Sequence, residues 1–240
     1  MPDLILELYS EEIPAFMQLT ALDNLKNMFS SALAEGKLSF SNIEGYVSAR
    51  RLTIIAQGIP GFIDAEQIER KGPKIDANPS AIAGFLKSVG KSDVGDLVIK
   101  TIDEKKFYFA EINMEEQNSA AIIAEFLPKI LSNFPWPKSM KWGNYKISWV
   151  RPLHNIMCLF ADEILEFEFG HLSSNNFSFG HRFMAPEKFE VKSITQYFNE
   201  LKARHVEYDQ DQRKNKILQE CRKIADSKNI TLIEDADLLE

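Results

Sequence analysis

The stretch WVRPLHNIMCLFADEILEFEF, residues 149–169, decides the fold class. Two apolar runs, 149–160 and 164–169, are separated only by Ala161-Asp162-Glu163. Short apolar runs joined by so brief a polar turn predict two paired strands. A second pair is expected where residues 96–102 and 107–113 flank Asp103-Glu104-Lys105-Lys106, which reads as a β-hairpin. Residues 4–9 have strand character, and residues 44–57, broken by Arg50-Arg51, predict one or two strands.

Helices are interleaved with these strands. Pro14, just after Glu11 and Glu12, suits a helix first turn, where a missing N–H costs nothing and acids favour the dipole. Phe16, Leu19, Leu22, Met28, Phe29 and Leu33 keep helical spacing, and Gly36 is the stop. Lys71-Gly72-Pro73 reads as a loop, and Asn78-Pro79 opens a helix over 80–89 that Gly90 closes. Residues 119–131 read as helical despite Pro128. Beyond Pro186 the texture becomes more polar. Ser193 caps a helix through Ala203, and 205–208 and 230–233 read as short strands. Residues 211–227 predict an amphipathic helix with Ile217, Leu218, Cys221 and Ile224 inward. Helices and strands mix without regular βαβ alternation, so the expected class is α+β. The expected division is an N-terminal α+β domain, 1–185, and a smaller helix-rich α/β part, 186–240.

A net charge of −7 excludes a nucleic-acid coating protein, so any nucleic-acid contact must be local. Cys158 and Cys221 sit in apolar or helical contexts and read as reduced packing residues. Acidic residues come too early for a secretory leader, and no apolar run approaches a membrane span. A cytoplasmic protein without membrane or DNA partners is expected. The last residues, TLIEDADLLE, start a helix and stop, which reads as a fragment of a longer protein.

The local exception to the acidity spans residues 126–161. By composition about five acids belong there, and none occurs. The segment holds all three tryptophans, Trp136, Trp142 and Trp149, and five cations: Lys129, Lys138, Lys141, Lys146 and Arg151. Cations alternating with aromatic surface suit a phosphate backbone or an anionic partner. Lys138, Lys141 and Arg151 are expected at the surface, with Trp142 and Trp149 packed beneath. The competing reading makes the rings simple core and the cations a solvated rim. Arg50 and Arg51 are expected on opposite faces of a strand, with structural ion pairing their main role.

Catalytic and metal-binding signatures are missing. His154 and Cys158 are four apart, but two ligands do not close a zinc site. No His is paired with Ser or Cys in a nucleophile pattern, and neither GxGxxG nor a Walker loop occurs. The chain is expected to hold no cofactor, metal or catalytic residue.

Ordered motifs do add up to a family. Leu6-Glu7-Leu8 precedes Glu11-Glu12-Ile13-Pro14-Ala15, then come Ser48-Ala49-Arg50-Arg51-Leu52, Lys71-Gly72-Pro73 and Gly84-Phe85. Phe134-Pro135 and Pro137-Lys138-Ser139-Met140-Lys141-Trp142-Gly143 lead into Trp149-Val150-Arg151-Pro152-Leu153-His154. Gly180-His181-Arg182-Phe183 and a final Ala236-Asp237-Leu238-Leu239-Glu240 complete the set. On these residues the chain resembles the N-terminal region of the β subunit of bacterial heterotetrameric glycyl-tRNA synthetases. It departs from that pattern at Ala49, at Asn155, at the extra Trp136 and in a short loop between Ile75 and Pro79.

The resemblance implies a fold like the editing-type domain of the larger subunit of phenylalanyl-tRNA synthetase. It implies two partners, the α subunit and tRNA(Gly). The class II active site, with its ATP and Mg²⁺, is implied to lie on the α subunit, leaving this chain inactive alone. Candidate tRNA- or partner-binding residues are Lys138, Lys141, Trp142, Arg151, His154, His181, Arg182, Arg50 and Arg51. The alternatives are an editing-type hydrolase of mischarged tRNA and an assembly module that touches no RNA.

Overall fold

The computed structural model describes residues 1–239 and confirms the α+β class. In chain order the elements begin β1 (Leu4–Ser10), α1 (Ala15–Glu35), β2 (Asn42–Ser48) and β3 (Arg51–Gln57). β4 (Phe62–Ile63), β5 (Glu66–Lys74), α2 (Pro79–Ser88), β6 (Val98–Ile102), β7 (Lys105–Met114) and β8 (Gln117–Asn118) come next. Then come α3 (Ser119–Ser132), β9 (Leu153–Phe160), β10 (Glu163–Ile164), β11 (Glu168–Phe169) and β12 (Leu172–Ser173). The last elements are β13 (Phe177–Phe179), β14 (Lys188–Glu190), α4 (Ile194–Ala203), α5 (Gln210–Ser227) and α6 (Ala236–Leu239).

Two compact units make up the chain, one of residues 1–61 with 119–240 and one of residues 62–118. The first is built on an antiparallel sheet of order β10-β9-β1-β3-β2. Its central strand, β1, is buried along its whole length. Alternation sends Leu4, Leu6 and Leu8 to one face and Ile5, Glu7 and Tyr9 to the other. Ile5 joins Ile55, Met157 and Leu159 in a cluster that Phe189, Val191, Tyr197, Leu201 and Val206 complete. α1 buries Met17, Ala21, Leu22, Leu25, Phe29 and Leu33, and Phe29 meets Phe126 of α3 edge-on at 5.4 Å. The expected Phe16 and Leu19 are instead exposed, because the buried stripe runs one position out of phase with them.

The hairpin expected at Ala161 forms. β9 and β10 pair antiparallel around Ala161 and Asp162, both with positive φ, as a two-residue primed turn requires. The same geometry, at Asp103 and Glu104, joins β6 to β7 in the second unit. There Lys71-Gly72-Pro73 is not a loop but part of β5. The register between β5 and β7 is irregular from Lys71 to Lys74. β5 is an edge of the sheet β5-β7-β6, where a residue without an N–H is tolerated. Asn78 caps α2 by accepting from the Ser80 N–H at 3.0 Å.

At the expected boundary near residue 186 the packing is continuous, since residues 189–206 share the first unit's core. The segment after residue 206 is attached differently. The expected strands at 205–208 and 230–233 do not form. α5 buries only Ala225, and Ile217, Cys221 and Ile224 are exposed. The helix is held by polar side chains at its first turns. Gln210 accepts from the Val47 N–H at 3.1 Å and donates to Gly45 O at 3.4 Å, and Arg213 donates to Val47 O at 3.0 Å. These side chains occupy the outer edge of β2 in place of a further strand. Among the described residues no helix is long and apolar enough to cross a membrane.

Protease sensitivity therefore tracks the core rather than the proline. Limited proteolysis is expected to cut within 209–235 well before it cuts within 186–206. Simultaneous cleavage of both stretches, detected by mass spectrometry, would show that the 189–206 packing does not protect.

Candidate functional site

The Arg50-Arg51 pair lies where β2 turns into β3, beside the end of β1. Arg51 stands opposite Tyr9 in the ladder and is 6% exposed. Its Nε donates to Glu7 Oε2 at 3.1 Å, and its Nη2 donates to the carbonyls of Phe179 and Gly180. Glu7 is fully buried and accepts two further bonds, from Ser178 Oγ at 2.6 Å and Tyr197 OH at 2.7 Å. Burial, followed by the Glu7 charge, raises the Tyr197 phenol well above its ordinary range and keeps it protonated as a donor. Arg51 is buried against Glu7 while Arg50 is only partly buried and pairs with Glu11, so each arginine serves a structural ion pair as expected. Both guanidiniums stand 4.7 Å from the centroid of the same Tyr9 ring, which stacks on Phe179 at 5.1 Å.

Around this buried pair lies a cleft of about 400 Å³, with Tyr9, Glu12, Arg50, Arg51, His181 and Arg182 among its walls. Glu11 gathers three of the expected cations at its rim. Its Oε1 contacts His154 Nε2 at 2.9 Å and Arg50 Nη2 at 3.3 Å, and its Oε2 lies 3.9 Å from Arg182. Arg182 also pairs with Glu12 at 2.7 Å. His181 braces a turn, its Nδ1 accepting the N–H groups of Phe183 at 3.3 Å and Met184 at 3.2 Å. Sequence reasoning named these cations but missed their carboxylates, although Glu11-Glu12 lies in the same motif set. The hydrogen bond from His154 is the main cause that holds the Glu11 carboxyl below its ordinary 4.5; burial opposes it, and the nearby charges of Arg50, His154 and Arg182 each add a smaller lowering effect.

The tryptophan segment is a second, distinct arrangement. Trp149 is 1% exposed and meets Phe134 at 5.0 Å, Trp136 at 5.1 Å and Phe169 at 6.2 Å. Its backbone exchanges two hydrogen bonds with Met140, at 2.8 and 3.1 Å, closing the loop between them. Trp142 is only half-buried, with its ring against His171 at 6.2 Å. Trp149 thus supports the segment from beneath as expected, and Trp142 does so only in part. Lys138, Lys141, Lys146 and Arg151 are exposed, and among the described residues no carboxylate lies within 4 Å of any of them. No hydrogen bond, ion pair or ring contact joins Lys138, Lys141 or Trp142 to the Glu11 cluster among the described residues.

Cys158 is fully buried and its thiol is pushed far up by burial, so it packs and does not react. Cys221 is exposed, contrary to the expected packing role. Among the described residues no three His, Cys, Asp or Glu side chains converge as a metal site would need.

Residues 4–240 match a family model described as glycyl-tRNA synthetase beta subunit. The chain is 38% identical to the glycine–tRNA ligase beta subunit of Rickettsia felis over 242 residues, covering 100% of this chain and 36% of that protein. The protein of the same name from Rickettsia canadensis is 38% identical over 240 residues, and that from Rickettsia akari 37%, with the same coverage. The chain therefore spans about a third of the length of the curated relatives it matches.

Two tests probe the two arrangements separately. A depressed folded pKa stabilises the fold above the unfolded value and loses that contribution as pH falls through the folded value. Glu11→Gln is therefore expected to lower thermal stability at neutral pH and to converge on the parent chain below pH 4.5. A constant difference across a pH series of melting curves would contradict this. In the tryptophan segment, Trp149→Ala is expected to cost about 3–5 kcal/mol in urea denaturation, as a fully buried ring should. Trp142→Ala is expected to cost less than half of that. Equal losses would mean that Trp142 carries the segment as heavily as Trp149.

Proposed function

Since the chain belongs to the glycyl-tRNA synthetase β-subunit family, we propose that it forms the non-catalytic N-terminal part of a glycine–tRNA ligase β subunit. In this reading it supports tRNA(Gly) recognition and assembly with a catalytic α subunit during ATP-dependent glycylation in the cytoplasm. ATP and Mg²⁺ belong to the α subunit. The fold is read as akin to the editing-type domain of the larger phenylalanyl-tRNA synthetase subunit.

One observation carries the recognition role. Lys138, Lys141, Lys146 and Arg151 project from a segment without acids, on a loop anchored by buried Trp149. Cations with no carboxylate beside them keep their charge available to phosphates. The rival surface is weaker for this purpose. Arg50, Arg182 and His154 already share Glu11 and Glu12, so an incoming phosphate must displace those carboxylates or accept their repulsion.

Binding of tRNA(Gly) to the chain across a salt series tests the reading. Lys141→Ala is expected to leave stability within about 0.5 kcal/mol. It should weaken binding and lower the salt slope by about one unit. Unchanged affinity and slope for tRNA, with weakened binding to the α subunit, would make the patch an assembly surface.

A further inference from the structure

One pair of rings in the tryptophan segment is arranged unlike the others. Tyr145 and His171 lie parallel, 12° apart in plane, with centroids 3.6 Å apart. Tyr145 is 42% exposed and His171 is exposed too, so the stack stands at the surface rather than in the core. Trp149, Trp136 and Phe134, by contrast, meet in tilted and edge-on contacts, as buried aromatics commonly do.

Two glycines lie beside this stack. Gly143 has φ +57°, and a Cβ there would lie 3.1 Å from the Tyr145 ring. Gly170 has φ +66° in the turn between β11 and β12, and a Cβ there would lie 2.7 Å from Ile147. Both the left-handed backbone and the close approach demand glycine. The approach of Gly170 to Ile147 brings the hairpin carrying His171 against the loop carrying Tyr145. Their rings are held flat against each other without burial. Trp142 closes one side, edge-on to His171. Lys141 directly precedes Trp142, and Lys146 directly follows Tyr145, both exposed.

An exposed parallel stack flanked in sequence by cations that have no carboxylate within 4 Å among the described residues matches the chemistry of one ligand class. A nucleobase gains by packing on exposed aromatic surface, whereas its phosphates gain from the lysines. Duplex RNA hides its base faces and offers only phosphates and sugars. We infer that Tyr145 and His171 form a stacking platform for an unpaired RNA base, with Lys141 and Lys146 holding the adjoining phosphates. The inference rests on the reading that this segment meets tRNA, and adds that the nucleotide it takes is unstacked from any helix.

Two RNA probes separate the possibilities: a short labelled oligoadenylate, and an RNA duplex of equal phosphate number. Tyr145→Ala is expected to weaken oligoadenylate binding roughly 5- to 150-fold, the range seen when one stacking ring is removed. Duplex binding and the salt slope should hardly change, and Tyr145→Phe should retain affinity because the ring face is kept. Lys141→Ala should weaken both RNAs and lower the slope for each. Unchanged oligoadenylate affinity in Tyr145→Ala, or equal weakening of both RNAs, overturns the platform. If Lys141→Ala still acts in that case, the cationic surface stands and only the stacking role falls. If neither variant affects any RNA, both readings fall. Loss of α-subunit binding by Tyr145→Ala without an RNA effect makes the ring a protein contact and overturns the inference as well.

Discussion

The buried pair of Glu7 and Arg51 constrains the rest of the first unit. Removing two charges from water costs several kcal/mol per ion, and Coulomb attraction recovers it only with good geometry and further hydrogen bonds. Here the recovery is thorough. Glu7 accepts from Arg51, Ser178 and Tyr197, and Arg51 donates onward to two carbonyls of β13 and the residue after it. Four chain segments must converge for these bonds to form: β1, β3, β13 with the adjoining Gly180, and α4. Removal of either charge alone would leave the other buried and unpaired, which costs about 3–5 kcal/mol in comparable cases. The network therefore specifies one arrangement more than it adds net stability. Burial energy comes instead from the apolar cluster of Ile5, Ile55, Met157 and Tyr197 around it.

That convergence also shapes the cleft. Because Arg51 is drawn inward by Glu7, its neighbour Arg50 is left at the rim, where Glu11 collects it with His154 and Arg182. A protein of net charge −7 has an excess of acids, and here they hold surface arginines in place. The same excess is withheld from 126–161, where the exposed cations of 138–151 keep no such partners among the described residues.

Local patterns in the sequence were legible wherever one residue dictates geometry. The Asn78 and Ser193 caps form, α1 stops at Gly36 with Lys37 rather than the glycine in the left-handed region, and the short polar breaks at Ala161 and Asp103 become hairpin turns. The Phe16 and Leu19 positions misled because a helix stripe can be drawn in more than one phase, and only packing selects it. α5 misled more deeply. Its apolar spacing suggests a buried face, yet it is tethered by Gln210 and Arg213 to a strand edge more than 160 residues earlier. No periodicity reports such a side chain-to-backbone bond. Likewise the cations of the Glu11 cluster could be named from the sequence, but their neutralisation depends on the fold bringing residues 11, 50, 154 and 182 together. The pairing of Tyr145 with His171 was equally invisible, since it joins two loops that share no motif.

The local balance of charge decides where an anionic partner can approach. At physiological ionic strength the Debye length is about 8 Å, so the chain's overall negative charge is felt weakly at any one patch. An approaching phosphate senses the groups nearest to it. At the Glu11 cluster each arginine brings its carboxylate, and the field nearly cancels within a few ångströms. Along 138–151 the cations are exposed, and no carboxylate lies within 4 Å of them among the described residues. Their backbone is held by Trp149 and its two bonds to Met140, so binding there orders little that is not already ordered. An acidic protein can thus present a local cationic surface despite its net charge of −7.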